Sequence, residues 1–167
     1  MFELADQNLM HPRPLLLAHT MTKIRCVSYT DAFSADGCSL TDLQLGVLNG
    51  VVGCNSSVFG SSQPGDLVIM AASSAKKQYF ALGTLGERLA ECSVWKDAGG
   101  HIWAHNFRFV PLVPGIHERT DEINEYVAAL CTTHGLNPKH FFHSRFCGER
   151  YAPVLQDLVR KLTNTAG

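Results

Sequence analysis

Charge of one sign is what this sequence has least to spare: 14 Lys and Arg stand against 15 Asp and Glu, a formal net of -1. No global field draws such a chain onto nucleic acid, so any contact of that kind rests on a local patch. Affinity from phosphate neutralisation alone is then modest. Closely spaced cysteines are lacking too. The six present (Cys26, Cys38, Cys54, Cys92, Cys131, Cys147) are too dispersed for a small secreted disulfide scaffold, and reduced, mostly buried thiols are expected. Residues 1–20 hold only a short apolar run, Leu15 to Ala18, with no basic n-region before it. That reads as neither a signal peptide nor a membrane span, so a soluble cytoplasmic protein without membrane contact is expected. Internal repeats and low-complexity segments are absent. So are a P-loop, a G-x-S-x-G elbow and an H-E-x-x-H pair, which removes the commonest catalytic frames.

What is there fits one domain: 167 residues, 46% of them hydrophobic, are enough for a sizeable core. Residues 1–22 contain Pro12 and Pro14 without a clear period and read as an irregular arm. Residues 23–117 are rich in strand patterns. Alternation over 23–29 predicts a first strand, and Ser39 three residues before Asp42 suggests a capping box for a short helix carrying Leu40, Leu43 and Val47. Pro64 and Gly65 mark a turn before a buried strand at 66–72. Segments 78–84 and 89–95 read as two further strands, with Gly83 and Gly86 at the bend between them. Asp97, Gly99 and Gly100 suggest a hairpin turn. A long aromatic strand then sets Trp103, His105, Phe107 and Phe109 on one face and Asn106, Arg108 and Val110 on the other.

The period changes over 118–167. Thr120 is placed to cap a helix whose Asp121 and Glu122 suit its positive end, with Ile123, Tyr126, Val127 and Leu130 as its stripe. Gly135 is a natural stop. A last helix from about Glu149 carries Tyr151, Val154, Leu155, Leu158 and Leu162. Strands in a run, one helix between the first two, and helices packed afterwards predict an α+β domain. Its centre is a small curved or closed, mostly antiparallel β-barrel with a C-terminal helical tail packed on it.

The stretch 51–72, VVGCNSSVFGSSQPGDLVIMAA, puts flexible polar chain directly before a buried strand. It reads as an ordinary loop or as one wall of a pocket gripped by backbone and small side chains. Together with "PGDLVIM", "YFALGTLGE" and "SVWKDAGGHIWAHNFRFVPLVP", its order is similar to that of the PUA-like group, especially EVE and YTH domains. There a "GD" turn opens a strand, a glycine-containing strand follows, and an aromatic strand ends in a phrase like Phe109-Val110-Pro111-Leu112-Val113-Pro114. The resemblance covers 23–117. It implies a module that binds DNA or RNA and receives one modified base, extruded from its stack, in an aromatic and polar pocket. Chemistry would then come from a partner such as an effector nuclease, with no cofactor. The tryptophan of the YTH "G-x-W-S-S/T" phrase is missing, since Gly50-Val51-Val52-Gly53 stands there, which weakens a methyladenine assignment. The G-x-K-x-x-E-x-R motif of the ASCH branch is not found.

A flipped base needs stacking faces and hydrogen bonds to its edge. Gly53, Asn55, Ser56 and Ser57 supply accessible backbone and short polar groups, and Trp95 and Trp103 supply π-faces. His105, Asn106 and Arg108 line the aromatic strand, and Lys76, Lys77, Lys96 and Arg108 are candidate phosphate contacts. Equally, both tryptophans suit a barrel core and the loop suits plain solvent exposure. A small-molecule or protein-interaction domain using the same pocket is the alternative function. An enzyme is not expected; a Cys54–His105 nucleophile pair, without an identifiable third group, is the alternative there. Cys131, His134, His140, His143 and Cys147 are suitable zinc ligands, but their spacing matches no standard signature. Helical packing with surface histidines explains them equally well, and no bound metal is expected.

Overall fold

The computed structural model describes residues 23–29, 38–54, 59–90, 103–142 and 148–165. Six strands form one sheet: β1 (Ile24–Tyr29), β2 (Val51–Cys54), β3 (Leu67–Ser74), β4 (Lys77–Arg88), β5 (His105–Pro111) and β6 (His117–Glu118). Three helices accompany them: α1 (Ser39–Asn49), α2 (Asp121–Thr133) and α3 (Ala152–Thr165). The sheet order is β1-β3-β4-β5-β2, and β6 takes up the part of the β4 edge that β5 leaves free. β1 pairs with β3 in parallel; every other ladder is antiparallel. A parallel pair needs a crossover, and here α1 and β2 lie in it. The sheet curls into a half-barrel. Its two edge strands, β1 and β2, come together where the Tyr29 hydroxyl donates to the Gly53 carbonyl at 3.4 Å.

Side-chain alternation explains why both faces of the sheet are dry. Leu67 and Ile69 of β3, with Phe80 and Leu82 of β4, turn toward α2 and α3, and meet Ile123, Val127 and Cys131 together with Val154, Leu155 and Leu158. Val68, Met70 and Ala81 turn into the curl, and pack with Val52, Leu85, Phe107, Phe109 and Leu43 of α1. The α+β half-barrel with flanking helices is therefore built on two apolar layers that share one sheet. No helix among the described residues is long and apolar enough to cross a membrane.

Several local expectations are corrected. Residues 51–54 are not loop: Gly50 adopts a left-handed φ of 65° that closes α1, and β2 begins at the next residue. No capping box forms at α1, because the Ser39 hydroxyl instead donates to the Ser73 carbonyl at 2.6 Å and accepts from the Ser73 amide at 3.2 Å. Residues 77–88 are one strand rather than a strand and a bend. Gly86 lies where the register with β5 shifts, and Gly83 lies where Phe109 and Val110 approach too closely for any side chain. The aromatic strand starts at His105 and not at Trp103. Thr120 does cap α2, accepting from the Ile123 amide at 3.2 Å. Gly135, at φ 68°, follows the end of that helix. The arm 1–22, the 97–100 turn and residues 91–95 of the expected strand lie outside the described residues.

One consequence of this packing is pH-dependent stability. His117 of β6 stands 5.5 Å from the Phe80 ring, and its buried Nε2 has no hydrogen-bond partner among the described residues. Burial lowers its pKa from the ordinary 6.5, against a smaller opposing effect of the Pro114 backbone. The unfolded chain thus takes up this proton before the folded one does. Stability is fully present above about pH 6.5 and falls as pH drops from there through the lower folded pKa. Urea unfolding at pH 7.5 and 5.0 is expected to show a larger loss in the wild type than in His117→Phe. Equal losses in both would remove His117 as the cause.

Candidate functional site

The structure divides the residues expected to form a site into separate groups. β2 and β5 bring five of them together: Gly53 pairs with Asn106 in register, Cys54 with His105, and Trp103 lies two residues before β5. Trp103 is only 7% exposed and belongs to the inner apolar layer. Its ring stacks on Tyr29, with centroids 5.6 Å apart and planes 25° apart. The His105 ring lies against Gly60, where a Cβ would come within 2.8 Å of its Cε1. Asn106 is 4% exposed; its Nδ2 donates to the Trp103 carbonyl at 2.8 Å, while its Oδ1 has no partner among the described residues. Register sets Cys54 and His105 face to face across the ladder, which places the two members of the alternative nucleophile pair opposite each other.

The expected phosphate contacts do not converge. Arg108 is exposed on β5 and pairs with Glu87 at 3.1 Å. Lys76 and Lys77 lie at the β3–β4 turn, with Lys77 eight positions before the Leu85 that pairs with Phe109, roughly 26 Å of extended strand away. Asn55, Ser56, Ser57, Trp95 and Lys96 lie outside the described residues, as do His143 and Cys147. Of the expected zinc ligands, Cys131 is sealed in the core, His134 ends α2 and His140 lies in a 3-10 turn. Among the described residues no three groups of metal-ligating type converge.

Tyr29 joins this region to a cavity that sequence reasoning missed. Buried between strands, its phenol is pushed well above its usual pKa, chiefly by desolvation and then by the nearby Cys54. The opposite face of the sheet at this point bears a notch of about 130 Å3 lined by Ser28, Ala71, Gln78, Arg119 and Phe142, beside the strands of Tyr29 and Tyr79, whose rings turn into the inner layer. At ~30 Å3 per water, that is room for about four waters or one small ring system. The notch shares Ser73, Gln78 and Arg119 with a wider groove of about 590 Å3, whose further walls include Lys76, Lys77, Glu118 and Asn124. The two-residue turn at its rim holds Ala75 at φ 56°, a left-handed conformation that is strained for alanine and that aims the following Lys76. Phe142 and short strand residues thus open directly onto a polar, cationic floor.

These walls come from β1, β3, β4 and the segments flanking α2, so no local pattern in the sequence unites them. The one readable signal was the Lys76-Lys77 pair just before the aromatic Tyr79-Phe80. No family model matches the chain, and no curated protein or solved structure matches it either.

Proposed function

We propose that the protein is a nucleic-acid-binding module that receives one modified base, extruded from its strand, in the notch beside Tyr29. The observation that carries this reading is the continuity of a notch beside Phe142, sized for one ring system, with a groove that bears Lys76, Lys77 and Arg119. A base would stack against Phe142, a contact worth ~1–3 kcal/mol, and Ser28 and Gln78 would meet its polar edge. Tyr29 fixes the strand beside the notch from the inner layer, through its stacking on Trp103 and its hydroxyl bond to the Gly53 carbonyl. The curled half-barrel supports the PUA-like, EVE- or YTH-type reading of the sequence, and Trp103 serves there as a buttress rather than an open wall.

A methyl group adds only ~0.8 kcal/mol by burial, so discrimination rests on how closely the notch fits. Titration with oligonucleotides identical except for one methylated, hydroxymethylated or plain base tests the proposal. At least one modified strand is expected to bind about tenfold more tightly than the plain strand, a difference of ~1.4 kcal/mol. Equal affinities across the set would leave the notch to a small molecule or a protein side chain, the alternative function.

A further inference from the structure

Arg119 is the least expected cation in the molecule. It sits at the seam where the notch and the groove meet, and lines both. Two contacts fix its plane: Nε donates to Asn124 Oδ1 at 2.6 Å, and the guanidinium carbon stands 4.3 Å above the Phe142 ring. Burial is enough to lower its pKa, although an arginine remains charged at any ordinary pH. Five of the other ten described cations have carboxylate partners: Arg25 has Asp66, Lys77 has Glu118, Arg108 has Glu87, Arg160 has Asp157 and Lys161 has Glu122. Among the described residues Arg119 has no ion pair, and its two terminal nitrogens have no hydrogen-bond acceptor there. A half-buried charge without a counter-ion is costly, and a planar fork held from behind and left free in front suits an oxyanion.

We propose that Arg119 is the receptor of a phosphate site, completed by Lys76, that grips a phosphodiester next to the base in the notch. The ligand class rests on the base-reading proposal; the anion site itself does not. Charge favours a diester over a polyphosphate. Three cations line the groove, but Glu118 and Asp121 line it too, which leaves a net of one positive charge. Lys77 is already shared with Glu118 at 3.7 Å in an exposed pair of little strength. Lys76, exposed on its strained turn and without an ion pair among the described residues, is the second free cation.

The test uses the full chain and fluorescence anisotropy with a single-stranded octanucleotide, an otherwise identical strand with one abasic position, and inorganic phosphate as competitor. Salt is varied from 50 to 200 mM. Arg119→Gln is expected to lose about tenfold or more in affinity for both strands and to flatten the salt dependence by about 0.7 in log–log slope, one released counter-ion. Lys76→Ala should act in the same direction, and Arg108→Gln, whose residue is outside the groove, should change neither quantity. A folded Arg119→Gln with wild-type affinity and slope would overturn the proposal. If that variant does not fold, an unchanged affinity and slope in Lys76→Ala would overturn it equally. Binding of the abasic strand that depends on Arg119, without preference for any base, would uphold the phosphate site while base reading fails. Base preference without dependence on Arg119 would do the reverse. Displacement of the strand by inorganic phosphate at micromolar concentration would keep the anion site and overturn its assignment to a strand.

Discussion

Trp103→Ala is expected to cost about 3–5 kcal/mol of folding stability, the range for truncating a large buried aromatic. Trp103 is 7% exposed, packs in the inner layer of the half-barrel, and covers one face of Tyr29. Its carbonyl also anchors the buried Asn106 amide. Removing the indole therefore leaves a cavity and frees Tyr29, whose hydroxyl bond to Gly53 ties β1 to β2. A domain of this kind has about 5–15 kcal/mol in total, so such a loss takes away a large share of it. Urea unfolding followed by circular dichroism measures it. Trp103→Phe, which keeps a ring against Tyr29, should lose much less. A stability loss below about 1 kcal/mol for Trp103→Ala would mean that the ring is an exposed wall and not a support.

Gly83→Ala is expected to be nearly as damaging. A Cβ at this position would lie 2.3 Å from Phe109 Cε2 and 2.5 Å from the Val110 carbonyl oxygen. The second of these is backbone in a paired strand, so relief requires β4 and β5 to part. Overpacking typically costs about 1–3 kcal/mol, and a clash with backbone places this substitution at about 3 kcal/mol or beyond. Gly86→Ala is the natural comparison. There the Cβ would meet the Arg108 Cβ at 3.1 Å, next to a register shift that already bends the strand, and a smaller loss is expected. Similar losses at both positions would show that glycine is needed here for bending, not for close approach.

Those two glycines also show where sequence reasoning stops. Glycine inside a strand pattern reads as a bend, although at Gly83 it marks the passage of an aromatic ring. β2 was hidden for a related reason: Val51-Val52-Gly53-Cys54 is short, contains glycine, and starts directly after the left-handed Gly50. Where alternation or capping is local, as in β1, β3 and the Thr120-capped α2, the elements were legible. Ser39 had the right chemistry for a cap, but a tertiary partner, Ser73, took its hydroxyl.

The same division holds for the site. Gly53, Trp103, His105 and Asn106 were legible as a group because one ladder carries them, and the Lys76-Lys77 pair was legible as a basic patch. Tyr29, Tyr79, Phe142 and Arg119 were not, because only the β1-β3-β4 pairing and the packing of the chain after α2 bring them to one cavity. Arg119 in addition looks like an ordinary surface arginine before a helix. Its significance lies in having no ion pair among the described residues although Glu118 and Asp121 share its groove, which no sequence displays.

Amide-shift mapping by NMR, during titration of the full chain with an octanucleotide carrying one modified base, most directly tests whether a base is read beside Tyr29. Shifts are expected to concentrate at Ser28, Ala71, Ala72, Ser73, Gln78, Tyr79 and Arg119, the residues around the notch. They should saturate at a lower concentration of the modified strand than of its plain counterpart. Shifts confined to other surfaces, such as the Arg108 side of β5, or equal saturation by both strands, would contradict base reading in the notch.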